Sequence, residues 1–177
     1  MDSKSQNILD NAETLFYQHG FHAVGIKKIV SQAKVSIMTL YNHFGSKENL
    51  IIQILDQREI RYMEYLKNAL NDKRQQSKYE TACTIALANT NWLKKNSQGC
   101  LFLRAKEEYD QVNPDIINRV DLHKRNMLSF YKQLGFSEQE AIRLAIQIEG
   151  AAALVETTEI ETVEKELVET LNLLFNK

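Results

Sequence analysis

The 177-residue chain is predicted to be all-α, and three observations carry that prediction. One proline and six glycines leave long stretches without a helix breaker. No segment sustains the alternation of a half-buried strand, while apolar residues recur at helical spacing as far as Phe175. No internal repeat or low-complexity tract interrupts the pattern. The reading is about nine helices, with the first three or four in a small N-terminal unit, residues 1–47, and the rest in a larger bundle, residues 48–177.

Each element has a local reason. Ile8, Leu9, Ala12, Leu15 and Phe16 share one face, so 5–18 reads as an amphipathic helix. Gly20 can end it with φ > 0, and Phe21 returns to the core. A short helix, Ile26–Ala33, turns Ile26, Ile29, Val30 and Ala33 inward and Lys27 and Lys28 outward. After the turn at Lys34-Val35, Ser36 caps a helix over about 37–43, with Leu40 and Phe44 inward. Gly45 closes it. Ser46 opens a long helix from Lys47 to about Leu70. The polar stretch NDKRQQSK (71–78) is a connection. A helix over about 79–95 follows, with Ala82, Ile85, Ala86, Asn89 and Leu93 on one stripe, and NSQG (96–99) breaks it. A short segment at 100–109 leads to Asn113-Pro114, an N-cap with a first-turn proline. That helix runs to about Leu134. Gly135-Phe136 stops it, and Ser137-Glu138-Gln139-Glu140 is a capping box for a helix to about Glu156. The last helix, about 161–175, holds Val163, Leu167, Leu171 and Leu174 in register.

Composition sets outer limits. Apolar residues are 44% and charged residues 25% of the chain, as in an ordinary soluble domain. Cys83 and Cys100 make no disulfide framework, and the polar start MDSKSQNILD has no apolar signal region. No run approaches the ~18 apolar residues of a membrane span. A cytoplasmic protein with reduced thiols and no membrane association is expected. Cys100 stands where a helix-start thiol could be a sensor, though a structural thiol is the plainer reading. There is no phosphate-binding glycine loop, no His/Cys metal spacing and no nucleophile motif, so an enzyme, a metal and a cofactor are not expected.

The net charge is −1, but its distribution is uneven. From Thr14 to Lys47 there are four lysines (Lys27, Lys28, Lys34, Lys47) and no Asp or Glu, a formal +4. Three of the four histidines lie there too. Such a local basic patch suits phosphates. The same segment poses a second question. Ile37, Met38, Thr39, Tyr41, Asn42 and His43 stand on the side of their short helix away from Leu40 and Phe44. Two short helices joined by a tight turn, the second with exposed residues, describe a helix-turn-helix whose second helix can enter a major groove about 12 Å wide.

Residues 8–51, with ILDNAETLFYQHGF, IKKIVSQAKVS and TLYNHFGSKENL, closely resemble the N-terminal domain of TetR/AcrR-type transcriptional regulators. The resemblance covers about a quarter of the chain. It implies that Ile37, Met38 and Asn42 point at base edges, while Tyr41, His43 and Lys47 hold phosphates. Lys27, Lys28, Lys34, Ser36 and Thr39 complete the candidate DNA-binding set. Ile37 and Met38 offer apolar contact, for instance to thymine methyls, and Asn42 suits either an adenine or a phosphate. Two departures stand out. Val24-Gly25 replaces the usual Thr or Ser, leaving Gly25 as the cap. Lys34 stands where members often place Gly, so a φ > 0 turn would cost about 1 kcal/mol of strain.

The family resemblance further implies a small-molecule pocket in the bundle and a dimer through the last two helices. Leu144, Ile148, Leu154, Val155, Val163, Leu167, Leu171 and Leu174, with the small Ala145, Gly150, Ala151 and Ala152, would make a four-helix interface with a second copy. Pocket candidates are Trp92, Phe102, Glu108, Tyr109, His123, Met127 and Glu149. The expected function is a ligand-responsive regulator, a repressor in the family's usual mode. It would bind a palindromic double-stranded DNA operator as a homodimer and be released by an effector. A helical adaptor or scaffold is the rival reading, and it gives no reason to segregate four lysines onto a helix-turn-helix.

Overall fold

The computed structural model describes residues 3–71, 77–95 and 100–176. Among the described residues there are nine helices and no strand: α1 (Ser3–His19), α2 (Ile26–Ala33), α3 (Ile37–Phe44), α4 (Lys47–Asn71), α5 (Lys78–Lys95), α6 (Leu101–Tyr109), α7 (Pro114–Gln133), α8 (Glu138–Leu154) and α9 (Ile160–Phe175). The all-α expectation holds. Residues 72–76 and 96–99, where most of the polar connection and the whole NSQG break were expected, lie outside the described residues. The chain groups into two compact units. One comprises the chain up to Glu59 with Leu101–Asp121, and the other Ile60–Cys100 with Leu122 onward.

In the first unit α1 packs on α2 and α3. Ile8, Leu9, Ala12, Phe16, Phe21, Val24, Ile29, Leu40, Leu50 and Ile51 are buried, joined by Leu101, Phe102 and Ala105 of α6. Each large apolar side chain so buried contributes roughly 1.5–3 kcal/mol before entropy is counted. The turn after α1 depends on Gly20, whose φ of +82° an L side chain rarely adopts. Its N–H donates to Phe16 O at 2.9 Å. Phe21 then drops inward with no exposed surface, and its ring lies 4.9 Å from that of Phe16. Two buried arginines tie helices together. Arg58 pairs with Glu13 at 3.0 Å and donates to the Tyr17 hydroxyl. Arg119 pairs with Asp56 and with Glu59, the latter at 2.5 Å.

In the second unit α5 packs against α8 and α9. Leu66, Ala82, Ile85, Ala86, Tyr131, Leu144 and Leu171 form its centre. Asn89, on the predicted α5 stripe, is buried and accepts from the Tyr62 hydroxyl at 2.9 Å. The Ser137-Glu140 capping box is formed in both directions. Ser77 and Glu80 make the same reciprocal pair at the start of α5. Asn113 Oδ1 accepts from the N–H groups of Asp115 and Ile116, both at 3.0 Å, at the start of α7.

The apolar residues named for a second copy are mostly used at home. Leu144, Ile148, Ala151, Ala152, Val163, Leu167 and Leu171 are buried within a single chain. Of that set Leu154 is exposed, and the other large apolar residues turned outward on α8 and α9 are Ile142, Ile146 and Leu173. Helical periodicity finds an apolar stripe, but α8 carries a second, outward one, and the inner stripes of α8 and α9 cover α5. A groove of about 450 Å³ runs between the two helices, lined by Ile146, Gly150, Leu154, Thr162, Glu166 and Thr170 among others.

Candidate nucleic-acid interface

The interface candidate is built from α2, the turn and α3. Gly25 is the N-cap of α2 and offers no side-chain bond; its carbonyl accepts from Lys28 N at 3.0 Å. The far end of α2 is held more firmly. Lys34 is left-handed at φ 54° and ψ 44°. Its N–H donates to Ser31 O, and Val35 N donates to Val30 O at 3.0 Å, a closure of the kind glycine usually supplies. The strain expected for a non-glycine residue there is present. Asn7 Nδ2 donates to Ala33 O at 2.7 Å and satisfies one of the last carbonyls of α2.

Ser36 caps α3 as expected. Its Oγ accepts from Thr39 N at 3.0 Å, and the two hydroxyls lie 2.8 Å apart. Leu40 and Phe44 are buried and fix the helix against its unit. Gly45, at φ +75°, ends the helix and donates to Tyr41 O at 2.8 Å. The opposite side is open. Ile37 is 43%, Met38 68% and Tyr41 45% exposed, values that core-forming residues of this size do not reach. Asn42 and His43 are exposed and Thr39 is half-buried. Lys27 and Lys28 on α2 and Lys34 in the turn are exposed too.

Lys47 differs from its companions. Its Nζ donates to Phe21 O at 2.6 Å and lies 5.9 Å from the Phe16 ring centroid. Burial, the largest influence, lowers its pKa, against the nearby carboxylates Glu48 and Glu108. In this structure the ammonium is turned toward the end of α1.

The seven pocket candidates fall in both units. Phe102, Glu108 and Tyr109 belong to the first unit and Trp92, His123, Met127 and Glu149 to the second. Glu108 accepts from Phe21 N at 2.9 Å and from His22 N at 2.6 Å, one carboxylate oxygen each. Its carbonyl meets His22 Nε2 at 2.5 Å. The Tyr109 ring stacks on His22 at 4.9 Å, and burial pushes its hydroxyl up to about 12, with Glu48 and Glu108 adding to the effect. Phe102 lies under the Arg119 guanidinium. In the second unit Trp92 packs on Tyr62 at 5.3 Å and on Tyr65 at 5.5 Å. Met127 and His123 are buried. Glu149 is half-buried and pairs with Lys124. The clasp of Glu108 on Phe21 and His22 was not legible in the sequence, because its partners are 87 and 86 residues apart.

A braced helix-turn-helix with an open second helix, in a segment of four lysines and no Asp or Glu, is a DNA-binding architecture. Residues 8–54 match the model of the family described as bacterial regulatory proteins, tetR family. A TetR-family transcriptional regulator from Streptomyces coelicolor has the same fold over 98% of this chain and 95% of its own, with a TM-score of 0.85 and 25% identity. The reduced form of NemR from Escherichia coli superposes with a TM-score of 0.83 over 98% of this chain and 97% of its own, at 18% identity. The HTH-type transcriptional regulator UidR of Escherichia coli (strain K12) is 44% identical over 48 residues, 27% of this chain and 24% of UidR. The HTH-type transcriptional regulator QacR of Staphylococcus aureus is 38% identical over 60 residues, 34% of this chain and 32% of QacR. The matched stretches span about a third or less of the length of these curated relatives. Residues 8–54 thus carry a helix-turn-helix domain of the tetR type, and the fold is shared with a TetR-family regulator. Among the described residues no helix is long and apolar enough to cross a membrane, and no three His, Cys, Asp or Glu residues gather as a metal site.

Proposed function

We propose that the protein is a transcriptional regulator that binds a palindromic DNA operator as a homodimer and is released by a small-molecule effector. The observation that carries this reading is α3. Its buried face is only Leu40 and Phe44, while Ile37, Met38 and Tyr41 stand exposed in a segment with four lysines and no acidic residue from Thr14 to Lys47. Phosphate contacts from Lys27, Lys28, Lys34, Tyr41 and His43 supply affinity and register, and base contacts from Ile37, Met38 and Asn42 supply specificity. Lys47, held by Phe21 O, supports the fold of the domain first and reaches a phosphate only by leaving that bond.

Two copies would place their α3 helices about 34–36 Å apart, one DNA turn, on the two half-sites. The outward Ile142, Ile146, Leu154 and Leu173 and the groove between α8 and α9 support that pairing. An effector that binds better to a differently spaced dimer lowers operator affinity through linkage; a coupling of about 1–3 kcal/mol weakens it about 5–150-fold. The aromatic cluster Tyr62, Tyr65 and Trp92 with Met127 is the part of the second unit best suited to an apolar or aromatic effector. Repression is the mode proposed, although one relative, FasR of Mycolicibacterium smegmatis, is an HTH-type transcriptional activator.

The test is fluorescence anisotropy on the DNA flanking the protein's own gene, against shuffled DNA, at two salt concentrations. Salt-sensitive binding to the native sequence that is lost in Lys27→Ala/Lys28→Ala and in Tyr41→Ala supports the reading. Binding that survives all three substitutions removes the proposed surface and favours a scaffold.

A further inference from the structure

The reading tip of this molecule is apolar, and that restricts which DNA it can read. Recognition helices of this kind meet base edges with their N-terminal residues. Here those residues are Ile37, Met38 and Thr39. Ile37 and Met38 have no hydrogen-bonding side-chain group capable of reading a base, beyond a weak thioether acceptor. Thr39 brings a hydroxyl, but it lies 2.8 Å from the Ser36 hydroxyl and is half-buried. The commonest specific contact in the major groove is bidentate Arg or Lys to guanine O6 and N7. No arginine occurs in the chain before Arg58, and no lysine lies between Lys34 and Lys47. Lys34 lies in the turn before α3 and is assigned to a phosphate, and Lys47 is bonded to Phe21 O. Farther along the open face, Tyr41 and His43 are assigned to phosphates, and Asn42 has the bidentate geometry for adenine.

We infer that each half-site is read through thymine methyl groups packed against Ile37 and Met38, with adenine at the Asn42 position and no guanine read at the tip. A methyl group projects from thymine C5 into the major groove and is the one apolar base mark there. Met38 is unbranched and 68% exposed, so its side chain can settle over such a methyl without disturbing the domain. The inference rests on the regulator reading above and assigns the chemistry of its DNA partner.

The test uses the full-length protein and separates the two. An operator is first selected from random-sequence duplexes. Each thymine of the enriched half-site is then replaced by deoxyuridine, which removes the methyl alone, and each guanine by 7-deazaguanine, which removes N7. One or two thymines should lose about fourfold in affinity each, the equivalent of one buried methyl. The guanine replacements should change it by less than about twofold. In Met38→Ala the deoxyuridine effect at one of those thymines should vanish, while the salt dependence stays as in the wild type. Met38→Arg should shift the selected base there toward guanine. A half-site in which 7-deazaguanine costs tenfold while deoxyuridine is silent would overturn the assignment and leave the regulator reading standing. Failure to enrich any sequence would overturn both.

Discussion

Lys34 holds two consequences in one side chain. Its φ of 54° is a conformation that costs an L residue about 1 kcal/mol, yet its charge stands exposed beside the start of α3. Lys34→Gly should therefore raise stability by about 1 kcal/mol, read as a higher urea midpoint with unchanged slope. If the ammonium touches a phosphate, the same variant should bind its operator with a shallower salt dependence. The slope of log affinity against log salt would fall by about 1.8 for a dimer, about 0.9 per lost phosphate. Opposite changes in stability and DNA affinity would show a strained residue retained for binding. A gain in stability with an unchanged salt slope would assign Lys34 to the turn alone. Gly20 is the reverse case. Its φ of +82° suits glycine, and an added Cβ would sit 2.8 Å from Glu108 Oε1. Gly20→Ala should cost about 1–2 kcal/mol from the backbone alone, and the Glu108 carboxylate would have to move as well. A thermal or urea melt checks it.

Between elements, α6 holds the end of α1 and the turn after it through several polar contacts. Glu108 takes the N–H groups of Phe21 and His22, and Arg104 donates to Tyr17 O at 2.6 Å. Glu108→Gln keeps the shape but has only one acceptor oxygen, so one of the two N–H groups loses its partner. The cost should be about 1 kcal/mol, while Glu107→Gln, at an exposed neighbour, should be silent in the same urea titration. The start of α8 gives a pH-dependent case. Glu140 is held from the ordinary 4.5 down to about 2, first by its bond from Lys78 and then by Ser137 N. A carboxylate depressed on folding binds fewer protons folded than unfolded in this range. Its contribution is thus complete above about pH 4.5 and is lost as pH falls toward 2. Wild type should exceed Glu140→Gln in denaturant midpoint at pH 6, and the two should converge near pH 2. The pair is on the surface, so the difference should be small.

Across the whole molecule, what the sequence made legible was what is decided locally. Ser36, Asn113 and the Ser137-Glu140 box announce their helices because a cap is made within three residues. Gly20 and Lys34 mark turns because backbone sterics are local too. Leu40 and Phe44 declared the buried side of α3, which left its open side by subtraction. The Glu108 clasp and the inward bond of Lys47 were hidden, since chain spacing does not encode which distant carbonyl or N–H will be near. On α8 and α9 periodicity failed for a different reason. It gave apolar residues but not the surface that covers them, and Leu144, Ile148, Leu167 and Leu171 turned out to be covered by their own chain. The proposed pairing of two copies must then rest on the outward set: Ile146, 61% exposed, and Leu154, 55%, which line the groove between the helices, with Leu173, 77%. A stable homodimer buries about 800 Å² or more on each partner, with its apolar residues central. Ile146→Glu places an unpaired carboxylate in that centre, which should cost several kcal/mol of association. Sedimentation velocity should show the wild type as a dimer and the variant as a monomer at micromolar concentration. Its helical circular dichroism should be unchanged, because Ile146 is exposed in the single chain. A monomer holds one α3 helix rather than two, so operator affinity should fall by at least about 100-fold as the tethered second half-site is lost. A variant that stays dimeric and binds normally would move the pairing surface off this face.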